Sequence, residues 1–272
     1  MLQISKRFRV VVQLLLCIYC TFSHAKQKIT IASGNFAPYF SEQGISGEGY
    51  FDLVLLKVLS EHGYKKLDLI PLNNDAIKRY FVSKTADIAI NYTALPPVNS
   101  YPSKYRVKFL NRVILPAQHW TKKVESLHDL NNLTIGSFIG ASDLFGNEYR
   151  KLTQLESVKY IEIGNQQALN KQLHKNKIDV RVGDYLVFYW HTAHLTALDP
   201  NDYIYLDLLD YQGSFILFHD KDLRDKFDQG LKLLIRSGEL KAITTNWLQQ
   251  YKLPILIEQP LFSLEKPHQK EK

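Results

Sequence analysis

Residues 84–90 read KTADIAI, and residues 175–182 read KNKIDVRV. In each segment, basic and polar residues lead to an Asp and then to branched apolar residues, a pattern typical of a buried strand. One such segment lies in each half of the chain. This similarity predicts two related α/β units.

The sequence before 84–90 alternates between strand and helix patterns. Residues 28–32 and 67–72 are short apolar runs that predict strands. Between them, apolar residues recur at helical spacing, at Phe51, Val54, Leu55, Val58 and Leu59. A second helix is predicted over 75–82, so the order of elements favours a parallel sheet covered by helices.

The second half of the chain repeats this order. Strands are predicted at 133–137, 158–163, 178–182 and 213–218, and helices at 142–152 and 166–174. Two such units leave a crevice at the carboxyl ends of their strands, where small ligands bind in sheets of this kind. Closure of the units over a ligand is the usual motion.

Residues 1–25 have the layout of a cleaved secretory signal peptide. Basic residues precede an apolar run from Val10 to Tyr19, and small residues precede the expected cut after Ala25. The run is shorter than the ~20 residues that a membrane-spanning helix needs. Cys20 lacks the small residue that normally precedes a lipid-attachment cysteine. We therefore expect a periplasmic protein without a lipid anchor.

The composition limits the function further. The chain has 272 residues, a net charge of +7 and two cysteines. Both cysteines, Cys17 and Cys20, lie in the predicted signal peptide, so the mature protein would have neither disulfides nor cysteine-based sites. Its modest basic surplus gives little support for nucleic-acid binding. We expect a monomer with no cofactor and no bound metal.

The sequence gives little support for catalysis. The sequence has no His-Glu-x-x-His, no P-loop and no Gly-x-Gly-x-x-Gly, and residues 136–140 do not form a Gly-x-Ser-x-Gly elbow. His191 and His194 have a spacing that could share a metal, but no third ligand is spaced nearby. We expect a binding protein rather than an enzyme.

Several further motifs occur in order along the chain. They are FAPYF at 36–40, GYFDL at 49–53, ADIAI at 86–90, VKF at 107–109, Ile178-Asp179 followed by Asp184, and the closing Gly238, Leu240, Ile243 and Trp247. In this order they resemble the extracellular solute-binding proteins of family three, the type II periplasmic binding proteins of amino-acid importers. The resemblance covers about residues 28–251.

The resemblance implies a two-lobe α/β fold. Each lobe would be a mostly parallel sheet flanked by helices, and two hinge strands would join the lobes. The first lobe is expected at 26–113 plus 214–272, and the second at 114–213.

The resemblance also implies a ligand site near Asp184. In amino-acid-binding members, a carboxylate at this position holds the ammonium group of the ligand. Phe36 and Tyr39 could form an aromatic wall against the ligand. Each of the three also has a structural interpretation, because Asp184 could cap the following helix and the aromatic residues could be core residues.

The part of the site that would bind a ligand carboxylate departs from the family pattern. The arginine of the family aligns with Ser103, so Arg106 is the candidate substitute, although it could also form a surface ion pair. A hydroxyl expected directly after Gly140 comes one residue late, at Ser142, where an ordinary helix start is the other interpretation. Thr93 completes the set of candidate contacts.

Arg181 is a charged residue inside the predicted strand 178–182. It could reach the crevice, or it could pair with Asp179 or Glu162. The sequence leaves both interpretations open.

These features predict an exported protein that captures a small polar solute, an amino acid or an amine, between two lobes. Its partner would be the permease of an ABC-type importer or, for a sensing role, a separate membrane receptor. The alternative is a periplasmic enzyme similar to cyclohexadienyl dehydratase. Its nominal acid–base candidates would be Glu48, Asp184 and His119.

Overall fold

The computed structural model describes residues 28–41, 49–64, 66–120, 123–195, 198–211, 213–254 and 261–264. The predicted signal peptide, residues 1–25, lies outside the described residues, and so does Glu48.

Two sheets form the framework of the described chain. Their strands are β1 (Ile29–Ser33), β2 (Leu67–Pro71), β3 (Ile88–Tyr92), β4 (Tyr101–Val107), β5 (Asn111–Pro116), β6 (Thr134–Ser137), β7 (Lys159–Glu162), β8 (Val180–Asp184), β9 (Tyr203–Leu206), β10 (Ser214–Phe218) and β11 (Phe262–Leu264). The first sheet has the order β11-β4-β10-β3-β1-β2, and the second has the order β7-β6-β8-β5-β9.

Parallel pairs occupy one side of each sheet. β1 pairs parallel with β2 and β3, and β6 pairs parallel with β7 and β8. β10 is antiparallel to β3 and β4, and β5 is antiparallel to β8 and β9. The predicted fold of two α/β units is confirmed, and both sheets are mixed, with parallel strands on one side and antiparallel strands on the other.

Helices cover both sheets. They are α1 (Tyr50–Glu61), α2 (Asn74–Val82), α3 (Ala141–Leu144), α4 (Gly146–Thr153), α5 (Gln166–His174), α6 (Tyr185–Leu195), α7 (Lys221–Ser237) and α8 (Glu239–Gln250). The predicted helix 166–174 matches α5. The predicted helix 142–152 is divided at Gly146, whose φ of 83° is one that glycine adopts without a Cβ clash.

The chain passes between the sheets twice. It leaves the first sheet after β4 and enters the second at β5, through residues 108–110, and it returns from β9 to β10 through 207–213. The boundaries along the chain between the first and the second sheet therefore lie within these two segments. The predicted lobes, 26–113 plus 214–272 and 114–213, remain a proposal about which residues move together, and their boundary at 113 falls within β5.

The apolar face of α1 was predicted from its spacing. Phe51, Val54, Leu55, Val58 and Leu59 are all buried, with exposed fractions of 1% or less. They belong to the core against the first sheet. Burial of such side chains contributes about 1.5–3 kcal/mol each, so this helix is a main support of the sheet that carries β1.

The helix α6 directly follows β8 of the second sheet, but it packs against the core of the first sheet. Its residues Leu186, Val187 and Trp190 belong to the same buried cluster as Phe51 of α1. The Trp190 ring meets Tyr251, directly after α8, edge to face at 5.2 Å between centroids. The residue before α6, Asp184, is therefore held at the contact between the two halves of the fold.

Candidate functional site

The carboxyl ends of the parallel strands are where a fold of this kind presents polar groups to a ligand. These strands end at Ser33, Pro71 and Tyr92 in the first sheet and at Ser137, Glu162 and Asp184 in the second. The candidate functional site consists of these ends and the loops that follow them.

Asp184 ends β8 and is only 7% exposed. Its Oδ2 accepts hydrogen bonds from the Tyr39 hydroxyl at 3.0 Å and from the Leu110 backbone N–H at 2.6 Å. Its Oδ1 accepts from the Val187 N–H at 2.8 Å, so the side chain also caps α6. Burial raises the pKa of Asp184, and the three hydrogen bonds oppose this rise. The carboxylate is thus largely bonded within the protein.

Tyr39 and Phe36 lie beside Asp184 in one aromatic cluster. Tyr39 is fully buried, and its ring stacks on Phe51 at 5.4 Å. Burial, and then the neighbouring Asp184, raise the pKa of the Tyr39 hydroxyl well above its ordinary value, so this group is a hydrogen-bond donor at neutral pH. Phe36 is half-buried and meets Phe40 edge to face at 5.0 Å. Both rings therefore have core contacts, as their structural interpretation requires.

The start of α3 already has a carboxylate partner. Oε2 of Glu162, at the end of β7, accepts from the Gly140 N–H at 2.8 Å. Its Oε1 accepts from the Ser142 N–H at 3.5 Å and the Ser142 hydroxyl at 3.4 Å, and from the Tyr160 hydroxyl at 2.8 Å. A protein carboxylate thus lies where the resemblance would place a ligand carboxylate.

Ser103 and Arg106 both lie on β4. Ser103 is buried and donates to Asp228 of α7 at 2.5 Å. The Arg106 guanidinium lies over the Phe215 ring at 3.7 Å and donates to the Gly213 carbonyl at 3.5 Å. These contacts hold Arg106 against the start of β10.

Arg181 lies in the middle of the second sheet and is fully buried. Its Nη2 donates to Oε1 of Gln166 at 2.7 Å, and its Nη1 donates to the Asp184 carbonyl at 3.5 Å. The two acids that the sequence suggested as its partners bond elsewhere in the described ranges, since Asp179 accepts from the Thr134 N–H and Glu162 from the Gly140 N–H. Burial lowers the pKa of Arg181 to about 10, so the side chain is still charged at neutral pH.

Side-chain amides gather at the same strand ends. Oδ1 of Asn73 accepts from the Ala76 N–H and caps α2, and Oδ1 of Asn165 accepts from the Ala168 N–H and caps α5. Oδ1 of Asn74 accepts from Nδ2 of Asn91 at 3.0 Å. In each of these contacts an amide oxygen is the hydrogen-bond acceptor.

The structure thus brings together only part of the predicted set. Asp184, Tyr39 and Phe36 form one cluster, whereas Ser142 and Arg106 have the other partners given above. Thr93 is half-buried and directly follows β3. Sequence reasoning missed the amides and the role of Glu162. The sequence signal for these residues was a polar residue at the end of a strand or directly after it. Spacing alone does not distinguish such a residue from an ordinary helix cap.

The described ranges contain no group of three or more His, Cys, Asp or Glu residues that could hold a metal ion. Within the same ranges, no helix has both the length and the apolar character needed to cross a membrane.

Comparison of the sequence with family models gives no match, and comparison with curated proteins gives none either. Comparison of the fold with solved structures does give matches. An amino acid ABC transporter substrate-binding protein, AbpA from Streptococcus pneumoniae, bound to L-arginine, has a TM-score of 0.65 and 18% identity, over 84% of this chain and 97% of that one.

Two other similar structures have different descriptions. The GluR0 ligand-binding core in complex with L-glutamate has a TM-score of 0.64 and 14% identity, over 82% of this chain and 99% of that one. The ancestral amino-acid-binding protein AncCDT-1, described as a precursor of cyclohexadienyl dehydratase, has a TM-score of 0.62 and 15% identity, over 81% of this chain and 95% of that one. At such identities the likeness shows the fold, and the predicted two-lobe fold of type II periplasmic binding proteins is confirmed.

Proposed function

We propose that this chain, which has the fold of the type II periplasmic binding proteins, captures a small polar solute between its two sheets and delivers it to the permease of an importer. The observation that supports this most directly is the double crossing between the sheets. Both sheets have parallel strand ends, and a double crossing would let the two halves close on a solute by bending at residues 108–110 and 207–211.

The predicted contacts of the solute are Asp184, Phe36, Tyr39, Arg106, Ser142 and Thr93. For an amino acid or an amine, the ammonium group would bind Asp184. This group would have to displace the Tyr39 hydroxyl from Oδ2, or use the side of Oδ1 that Val187 leaves open. A ligand at Asp184 therefore competes with hydrogen bonds that the protein makes by itself.

Delivery requires export and a membrane partner. Residues 1–25 would direct the chain to the periplasm and be removed, and the mature protein would act as a monomer without a lipid anchor. Solved structures with this fold include proteins described as substrate-binding proteins of amino acid ABC transporters, which supports the importer as the partner.

Binding without turnover separates this proposal from the enzyme alternative. The similar structure described as a precursor of cyclohexadienyl dehydratase makes that alternative worth testing. With excess solute, a binding protein gives a lasting one-to-one complex, whereas an enzyme gives a new product.

Native mass spectrometry of the mature chain, purified without refolding, tests the proposal. We expect a co-purified small molecule or, with added solute, a one-to-one complex. Binding at a hundredfold excess over Kd should stabilise the fold by about 2.7 kcal/mol. A protein that neither carries a small molecule nor binds any of a broad panel of amino acids, amines and sugars would contradict the proposal. A new product mass would instead support the enzyme.

A further inference from the structure

The two acids at the strand ends already have protein partners. Asp184 accepts three hydrogen bonds, from Tyr39, Leu110 and Val187. Glu162 accepts from Gly140 and Ser142 at the start of α3 and from the Tyr160 hydroxyl. A cationic solute gains most from a carboxylate that has no other donors. Neither acid meets this condition, so the site is poorly suited to recognise a positive charge.

The positive groups near the same ends are also engaged. Arg181 is fully buried and bonded to Gln166. Nζ of Lys108 donates to the Tyr211 carbonyl at 2.6 Å. The backbone N–H groups at the start of α3 face the Glu162 carboxylate, which would also repel an anionic solute. These contacts therefore favour a solute that has neither a cationic nor an anionic group.

The described strand ends also carry a set of amide N–H donors. The side-chain oxygens of Asn73, Asn74, Asn165 and Gln166 each accept a hydrogen bond within the protein. An amide has two donors on its nitrogen and one acceptor oxygen. When the oxygen is used internally, the nitrogen is the part left to meet a ligand, and its partners must be acceptor oxygens.

Gln166 has the most firmly set orientation of these amides. A guanidinium has only donors, so the group 2.7 Å from Nη2 of Arg181 must be the amide oxygen of Gln166 and not its nitrogen. The contacts of the described chain leave Nε2 of Gln166 without a partner, and the side chain is half-buried. Arg181 thus fixes which end of the amide is the acceptor and leaves both N–H donors of Nε2 for another partner.

The position of Arg181 places this amide at the crevice edge of the second sheet. Nη1 of Arg181 is 3.5 Å from the carbonyl of Asp184, the last residue of β8. A Cβ added at Gly183 would lie 3.3 Å from the same Nη1 and 3.6 Å from the Phe138 ring. The guanidinium therefore lies below the end of β8 and beside the loop after β6. Gln166 begins α5, after the end of β7.

We propose that Gln166, oriented by Arg181, donates from Nε2 to an oxygen of an uncharged, oxygen-rich solute such as a sugar or polyol that binds between the two sheets. This inference rests on the proposed function as a solute-binding protein. Gln166 is the specificity-determining contact, and Arg181 is a positioning residue that acts through it. The remaining amides at the strand ends supply further donors to the same class of solute.

The variant Gln166→Glu tests this role because it separates binding from folding. A glutamate at this position would form a charge-assisted pair with Arg181, so the unliganded melting temperature should stay equal or rise. The same change removes both donors of Nε2. The matched control is Gln172→Glu, which places the same charge six residues further along α5.

The measurement is calorimetric titration of the mature protein with three fixed sets of probes. They are uncharged solutes (D-glucose, D-ribose, D-galactose and myo-inositol), L-amino acids, and the amines putrescine and spermidine. We expect binding from the uncharged set. Gln166→Glu should weaken it about tenfold, the cost of one lost hydrogen bond, and Gln172→Glu should leave it unchanged.

Each other outcome overturns a defined part of the account. Binding of amino acids or amines alone would refute the solute class but keep the proposed function. Equal binding of an uncharged solute by the wild type and Gln166→Glu would refute the role of Gln166. A lower melting temperature of Gln166→Glu with unchanged affinity would show that the contact between Gln166 and Arg181 has only a structural role. Binding from none of the sets, with no co-purified molecule, would overturn both the inference and the proposed function.

Discussion

Asp184 and Arg181 lie three positions apart on β8 and are both buried charges, yet they are bonded in different ways. The Asp184 carboxylate receives donors from Tyr39, Leu110 and Val187, which come from both halves of the fold. The Arg181 guanidinium bonds a neutral amide within the second half. Burial alone therefore does not identify a ligand site. The informative quantity is the hydrogen-bonding capacity that the protein leaves open, which is small at Asp184 and larger at Gln166.

The variant Asp184→Ala should have the largest effect on stability. It leaves three buried donors without an acceptor and removes the negative charge nearest to Arg181 in the sheet. We expect the free energy of unfolding to fall by about 3–5 kcal/mol, measured by urea denaturation. The matched control is Asp207→Ala, since Asp207 is an exposed partner of Arg112, and it should cost less than about 1 kcal/mol. Equal costs would contradict the structural role of Asp184.

The free energy of unfolding should depend on pH through His191, which lies near the charge of Arg181. Burial, and then Arg181, lower the pKa of His191 to about 4. The unfolded chain therefore binds a proton between pH 6.5 and about 4 that the folded chain does not. This contribution to stability is present above pH 6.5 and is lost as the pH falls, by roughly 2–4 kcal/mol in all.

Urea unfolding at several pH values, with His191→Asn as the comparison, measures this slope. The buried carboxyls of Asp184 and Asp228 have raised pKa values and act in the opposite direction, so the difference between wild type and variant isolates His191. Arg181→Met should raise the pKa of His191 in an NMR titration. An unchanged pKa would mean that the two side chains do not interact.

The variant Tyr39→Phe should have a smaller effect. It removes one of the two donors to Oδ2 of Asp184 and keeps the ring on Phe51. We expect a loss of about 1–2 kcal/mol. The same change opens Oδ2 to a ligand, so titration of Tyr39→Phe with L-arginine or putrescine also asks whether Tyr39 blocks an ammonium site. Tight amine binding by the wild type itself would contradict the view that Asp184 is already occupied.

The variant Arg181→Met should change stability least. An apolar side chain of similar length avoids the desolvation of a buried charge, and Asp184 keeps its three hydrogen-bond donors, so the loss of the bond to Gln166 is largely offset. We expect a change within about 1 kcal/mol in the unfolding free energy but a clear loss of solute affinity, because Gln166 is no longer oriented. A large loss of stability with normal affinity would make Arg181 a structural residue only.

The sequence predicts the fold better than it predicts the site, for physical reasons. Periodic apolar residues determine an element, and α5 was predicted with its observed bounds. The division of 142–152 depends on the φ of Gly146, which spacing does not show. Partners depend on which elements pack together, so the strand pattern around Arg181 suggested Asp179 or Glu162 rather than the amide of Gln166. The cap role of Asp184 was one interpretation of the sequence, whereas its contact with the other half of the chain was visible only in the fold.

A crystal structure of the mature protein with its co-purified or best-binding solute tests the central claim most directly. We expect an oxygen of an uncharged solute within hydrogen-bond distance of Nε2 of Gln166, with the Tyr39 hydroxyl still bonded to Asp184. An ammonium group on Oδ2 of Asp184, with the Tyr39 hydroxyl displaced and Gln166 free of contact, would contradict it.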